Sequence, residues 1–423
     1  MSTSERSLAT VKRVAVISYH CSPLDEPGSG DAGGMTVYVR GLASALEKKG
    51  VRTDIFTRAV RPGDRTVSLS PFVRVVPLEA GPLAPVGKED LPRWVDEFSA
   101  AVRAFAMMQR ISYDVIHSHY WQSGLVGRSL ASVWSTPFVH SSHTLGRVKN
   151  AALAPGDSPE PESRLGGEKD VIDAADVLIA STDDEYQQLA CMYGAPHDKL
   201  KILPPGVDHQ IFFPGDKAAA RRELDLGSEP ILLYVGRIQA LKGIDLAIHA
   251  AERLKHALDV PPRLLIVGGP SGTAGDGELE RLHALVGELG VSSNVDFLGP
   301  QPHGMLPAFY RAADVAVICS HSESFGLTAL EAHACGTPVV GTPVGGLSHI
   351  VSSGESGFLI DERDADRFAS AIKTLLSDPE VAESFSAQAV RRAVPFTWTN
   401  TAARFLELYE CLVSEKYPEL CTC

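Results

Sequence analysis

Short apolar runs alternate along this chain with stretches whose apolar residues return every third or fourth position. Val14-Ala-Val-Ile-Ser18 is one such run, too continuous for a strand with a wet face, and it predicts a buried parallel strand. A Gly/Pro-rich loop from Cys21 to Gly34 follows. In Met35 to Lys49, the spacing of Val37, Leu42, Ala45 and Leu46 predicts a helix that Gly50 ends. Val51 to Thr57 reads as the next strand, and strand, helix, strand is the parallel α/β pattern. Asp114-Val-Ile-His117, Phe138-Val-His140 and Val177-Leu-Ile-Ala180 continue it.

Pro204-Pro-Gly206 and Pro214-Gly215 bracket a predicted linker. A second series then begins, with strands at Ile231 to Val235, Arg263 to Val267, Val315 to Cys319 and Pro338 to Gly341. Helical spacing lies between them, as in Ile244 to Leu258 and Glu278 to Leu289, and Thr397 to Glu415 reads as one long amphipathic helix. The expected architecture is α/β, with two Rossmann-like domains at residues 1–213 and 214–396 and a helix and tail at 397–423. Ligands of such sheets sit beyond the carboxyl ends of the strands, so the site is expected in the cleft between domains.

The 423 residues exceed one ordinary core, which agrees with two domains. A net charge of −13 argues against nucleic acid, whose phosphates need a basic face, but not against a small phosphate ligand. Seven scattered cysteines without a C-x-x-C argue against a disulfide framework and a zinc ribbon. The polar start, Met1 to Arg13, has no apolar signal core, and no run approaches a membrane span. Together these predict a cytoplasmic protein without stable membrane insertion. Cys421 and Cys423 read as an exposed tail rather than a metal or redox pair.

Three motifs suggest chemistry that the spacing does not support. Gly28-Ser-Gly30-Asp-Ala-Gly33 fits G-x-G-x-x-G, but it stands too far from its strand for a dinucleotide fingerprint. Gly33 and Gly34 read instead as backbone opening a helix where a phosphate can approach. His117, His119, His140 and His143 lie at two strand ends, where cleft-facing and structural roles are preferred to a metal. Asp364-Ala-Asp366 reads as a helix start.

Glu323-Ser-Phe-Gly-Leu-Thr-Ala-Leu-Glu331 is the strongest local signal. It follows a predicted strand, and Gly326 and Leu327 open a helix whose free N–H groups favour phosphate. Glu331 suits vicinal hydroxyls, and Glu323 sits on the other side of the phosphates. Gly236-Arg237-Ile-Gln-Ala-Leu-Lys242-Gly243, after the first strand of the second half, supplies the two cations that a metal-free diphosphate needs.

These segments resemble the retaining glycosyltransferases of family 4. That resemblance implies the GT-B fold, a C-terminal helix crossing back to the first domain, and no metal or other cofactor beyond a UDP- or GDP-sugar substrate. It assigns Glu331 to the ribose and Glu323 to the sugar, with Phe325, Gly326 and Leu327 along the sugar and phosphates. His20 to Met35, His117 to Gly124 and His143 to Asn150 are similar to the family's mycothiol-pathway branch, whose acceptor is an inositol phosphate. By that branch, Lys88, Tyr120, Thr144 and Arg164 hold the acceptor phosphate and His143 orients the sugar. Two positions depart from the branch: Thr36 stands where it has an acceptor-contacting asparagine, and Gln301 where it has an arginine beside the base.

The expected reaction is same-face attack. Arg237, Lys242 and the helix start at Gly326 stabilise the leaving diphosphate, whose oxygen takes the acceptor proton. Thr36 keeps a second acceptor open, the carboxylate-bearing thiol ergothioneine receiving a GDP-octose in antibiotic (lincosamide) assembly. A nicotinamide oxidoreductase and a non-catalytic sugar-nucleotide sensor are the alternatives of other classes. The partners expected are a small donor and acceptor, with an isologous homodimer as the oligomer.

Overall fold

All of the apolar runs named above form buried strands in the computed structural model, which describes residues 10–28, 30–154, 157–272 and 275–416. The Cys421–Cys423 tail and the first residues of the polar start lie outside these.

The first sheet has eight strands: β1 (Arg13–Ile17), β2 (Arg52–Arg58), β3 (Val67–Ser68), β4 (Val73–Leu78), β5 (Val115–His119), β6 (Phe138–Ser141), β7 (Val177–Ala180) and β8 (Leu200–Ile202). Their order is β3-β4-β2-β1-β5-β6-β7-β8, parallel except for β3. The second has six: β9 (Ile231–Val235), β10 (Arg263–Val267), β11 (Val295–Gly299), β12 (Val315–Ile318), β13 (Val339–Gly341) and β14 (Gly357–Leu359), ordered β11-β10-β9-β12-β13-β14.

Both faces of each sheet are covered, which is why inner strands such as β1, β9 and β10 read as near-continuous apolar runs. In β1, Ala15 and Ile17 enter one core while Val14 and Val16 enter the core on the opposite face. In β10, Leu264 and Ile266 part from Leu265 and Val267 in the same way. The final helix, Trp398–Lys416, crosses back to the first sheet. Trp398, Phe405 and Tyr409 join the core that contains Val14, Val16 and Leu42. Full burial of a side chain of this size contributes about 1.5–3 kcal/mol.

The order of the strands locates the cleft. In the first sheet, the chain winds outward from β1 through β2 and β4, then restarts on the other side at β5. In the second it winds outward from β9, then restarts at β12. Connections leave in opposite directions at these two points and open a crevice beyond the strand ends. The loops after β1 and β5 carry His20, Gly33 and Tyr120. Those after β9 and β12 carry Arg237, Lys242 and Glu323.

The five cysteines among the described residues are free thiols. No helix there is long and apolar enough to cross a membrane.

Candidate active site

The two crevices face each other across backbone that carries no side chains. A Cβ added at Gly33 would stand 3.1 Å from Arg237 Nε, and one at Gly34 would stand 3.4 Å from Leu327 Cδ1. The starts of helices Gly34–Glu47 and Leu327–Ala334 therefore meet across the cleft, with Arg237 beside them. Gly269 N–H donates to the Gly28 carbonyl at 3.0 Å, and the Ser324 hydroxyl donates to the His143 carbonyl.

On the wall formed by the second sheet, Gly326 caps its helix at φ +94°, a left-handed conformation that suits glycine, and among the described residues no side-chain hydrogen bond caps the helix start. Lys242 Nζ lies 2.5 Å from Glu323 Oε2, to which Ser320 also donates at 3.4 Å. Arg237 donates to Ser271 Oγ at 3.3 Å. Glu331 is buried; its carboxylate meets His303 Nε2 at 2.8 Å and accepts from the Tyr310 hydroxyl at 3.1 Å. Burial opposes a charge on His303, yet the Glu331 carboxylate raises its pKa above the usual histidine value. Gln301 donates to the Leu298 carbonyl at 2.9 Å. The Phe325 ring is turned into the core, 5.9 Å from the Phe396 ring, so only its backbone is available to a ligand.

The opposite wall gathers residues from distant elements. The Arg164 guanidinium lies 5.1 Å above the Tyr120 ring and donates to Thr144 Oγ1 at 3.1 Å. It also pairs with Glu168 at 2.8 Å and Glu160 at 2.9 Å. Burial works against its charge, but Tyr120, Glu168 and Glu160 hold its pKa raised overall. Burial pushes the Tyr120 hydroxyl up to about 12, so it is a neutral donor. Lys88 pairs with Asp31 at 2.6 Å. Thr36 stands apart from this group: it is 1% exposed, with its hydroxyl 3.5 Å from the Cys21 sulfur.

Tyr120 at φ +76° and His143 at φ +59° have left-handed backbones without being glycine. Such conformations cost about 1–3 kcal/mol each and persist where the surroundings enforce them. His143 Nε2 lies 2.8 Å from His119 Nδ1, and burial lowers the His143 pKa to about 3.

Sequence reading passed over His20. Its ring packs at a tilt against Tyr120, centroids 4.5 Å apart, and its Nδ1 is buried without a hydrogen-bond partner among the described residues. Burial, with Lys88, His143, Arg237 and Arg164 acting in the same direction, drives its pKa well below the usual value. One neutral ring thus feels cations from both walls. Its place directly after β1 was the available signal.

The remaining motifs have structural partners. His117 meets the Tyr409 hydroxyl at 2.7 Å and Ser141 Oγ at 2.9 Å, and His140 meets Ser118 Oγ at 2.8 Å. No metal-holding group of His, Cys, Asp or Glu occurs among the described residues. Asp364 accepts from the backbone N–H of Asp366 and Arg367, as a helix cap does.

Residues 33–206 match the glycosyl transferase 4-like domain, and residues 216–392 match glycosyl transferases group 1. D-inositol 3-phosphate glycosyltransferase of Acidothermus cellulolyticus is 49% identical over 96% of this chain and 92% of its own length. The chain belongs to the group 1 glycosyltransferases. A relative of the same name from Corynebacterium jeikeium is 46% identical over 94% of this glycosyltransferase and 96% of itself. Sucrose-phosphate synthase of Thermosynechococcus elongatus superposes with a TM-score of 0.89 at 34% identity, covering 96% of this chain and 100% of that one. HepE of Anabaena, solved with UDP and glucose, shares the fold at a TM-score of 0.74 and 20% identity, over 95% and 100% of the two chains. The two-sheet architecture of this glycosyltransferase is thus GT-B.

Proposed function

We propose that this enzyme moves a sugar, with retention of configuration, from a nucleoside-diphosphate donor to a small anionic acceptor. The observation that carries this reading is that cations of both walls, Arg237 on one side and Lys88 and Arg164 on the other, act on the single His20 ring, with Lys242 following Arg237 on the same connection. Cations on two walls suit two anions, one on each substrate.

In this reading Arg237, Lys242 and the N–H groups after Gly326 stabilise the charge that develops on the leaving diphosphate. Gly33 and Gly34 let it approach the backbone, as does the backbone at Phe325 and Leu327. Glu331 binds the ribose, Glu323 and His143 bind the sugar, and Gln301 borders the base. Lys88, Tyr120, Thr144 and Arg164 hold the acceptor anion. The donor's phosphate oxygen takes the acceptor proton, and the two cations do the work a metal would do.

The name of its relatives, D-inositol 3-phosphate glycosyltransferase, favours a phosphorylated inositol as acceptor, and the resemblance to the mycothiol-pathway branch adds a UDP-sugar as donor. One observation favours a second acceptor. The Thr36 hydroxyl faces Cys21, so the wall lacks the amide that an inositol ring would meet there, and a carboxylate-bearing thiol such as ergothioneine, with a GDP-octose donor, is the alternative.

Incubation with UDP- and GDP-sugars against inositol phosphate and ergothioneine, with the product's anomeric configuration read by NMR, tests both readings. Transfer to inositol phosphate with retention supports the first. Transfer to ergothioneine alone supports the second. An inverted product, or no transfer from any nucleotide sugar, overturns the proposal.

A further inference from the structure

The contact between His119 and His143 carries chemistry of its own. His119 is completely buried at the end of β5, and its Nδ1 faces His143 Nε2 at 2.8 Å. Its other nitrogen, Nε2, is buried and has no hydrogen-bond partner among the described residues. The nearby His117 ring, 4.2 Å away, does not serve it, since both His117 nitrogens are engaged by Tyr409 and Ser141. Tyr38 packs its ring against both imidazoles, at 5.6 Å and 4.9 Å.

Burial holds both rings neutral at physiological pH, so each carries one N–H. Two arrangements make the observed contact. If His143 Nε2–H donates to His119, then His119 keeps its own proton on Nε2, as a buried donor with no acceptor. If His119 Nδ1–H donates to His143, only a bare lone pair is left at His119 Nε2. Either unmet group costs about 1–3 kcal/mol when buried, but in folded backbones an orphaned buried N–H is rarer than an under-satisfied acceptor, and the same preference is applied to this ring. The second arrangement is therefore selected, and it leaves the His143 proton on Nδ1.

We infer that His119 is a positioning residue that fixes His143 as its Nδ1–H tautomer, so that the nitrogen left for a ligand is a hydrogen-bond donor. This rests on the reading of His143 as the residue that meets the donor sugar. A donor there selects a sugar oxygen with a free lone pair, and the choice is made before substrate arrives. In water, both imidazole tautomers interconvert. Here one nitrogen is claimed by a partner that itself has no alternative.

Long-range nitrogen–proton NMR spectra of the full chain labelled at histidine nitrogen test this, with the His143 signals assigned from the spectrum of His143→Gln. The expected result is a protonated His143 Nδ1 and a bare Nε2. A protonated His143 Nε2 in the unsubstituted enzyme overturns the inference, whatever the activity. The spectrum needs no substrate, so a failure of the proposed transfer appears separately, as no turnover by the unsubstituted enzyme.

Kinetics give a second arm. His119→Asn keeps an amide N–H close to the lost Nδ1–H, whereas His119→Phe fills the space without a donor. Asn is expected to retain kcat within a few-fold, and Phe to lose about 10- to 100-fold. A role in packing alone predicts the reverse order, and that order would overturn the inference.

Discussion

The two walls of the cleft hold their cations in different ways. On the donor side, Lys242 and Arg237 stand on a loop next to a bare helix start, and Lys242 has one carboxylate partner with both side chains partly open. On the acceptor side, Arg164 is 4% exposed and shared between Glu160 and Glu168. Glu168 in turn accepts from the Gly146 N–H and the Tyr193 hydroxyl, and Glu160 from Lys149. A charge on an open loop is available for ligand and adds little to folding. A charge inside a buried network belongs to the fold before it belongs to the substrate. Arg237 and Arg164 thus do different work on the two walls, while Lys88, paired with Asp31, is held as openly as Lys242.

Arg164→Met should separate them most strongly. It strands Glu168 without its charge partner, which costs about 3–5 kcal/mol. Urea unfolding should show that loss, with weaker acceptor binding beside it. Unchanged stability would mean that Glu160 and Glu168 do not depend on the arginine. Lys242→Ala should do the converse. The loss of one preorganised cation lowers kcat about 10²- to 10³-fold, while the melting temperature stays close to that of the parent. A large drop in melting temperature would erase the contrast.

Gly326→Ala lies between these extremes. The φ of +94° is strained for any side chain, and the new Cβ would stand 2.9 Å from Leu347 Cδ1. A cost of about 1–3 kcal/mol is expected in unfolding, together with weaker binding of nucleoside diphosphate by calorimetry. Unchanged affinity would remove this helix start from the donor wall.

The smallest effect concerns His303. Its folded pKa is raised, so its pairing with Glu331 stabilises fully below the unfolded value near 6.5 and is lost as pH rises through the folded value. His303→Gln should therefore cost most at pH 6 and progressively less toward pH 9, by no more than about 1 kcal/mol for this partly exposed pair. Unfolding curves across that range measure it, and a pH-independent difference would contradict the pairing.

The strands legible in the sequence were those with neighbours on both sides. The interior strands β1, β7, β9, β10, β12 and β13 are apolar runs because both faces are covered, β5 and β6 begin as such runs before their histidines, and β2 (Arg-Thr-Asp-Ile-Phe-Thr-Arg) was legible only from the strand-helix-strand order. The edges β8 (Leu-Lys-Ile), β11 (Val-Asp-Phe-Leu-Gly) and β14 (Gly-Phe-Leu) are short or carry a charge, and β4 is broken by Arg74 and Pro77. The site divides in the same way. Glu323 to Glu331 is one contiguous turn and helix, so its chemistry can be read along the chain. Asp31 beside Lys88, His303 beside Glu331 and His119 beside His143 are contacts between separate elements, and no local pattern announces them.

The return of the last helix has a mechanical consequence. The chain crosses between the sheets twice, and the crossings are laced together. Val207 N–H donates to the Phe396 carbonyl at 3.1 Å, Thr401 Oγ1 donates to the Pro204 carbonyl at 2.9 Å, and a Cβ at Gly206 would collide with the Trp398 nitrogen at 2.2 Å. The two halves are therefore joined through one narrow laced seam instead of two separate links, and a residue as small as Gly206 is what lets the crossings of that seam lie so close.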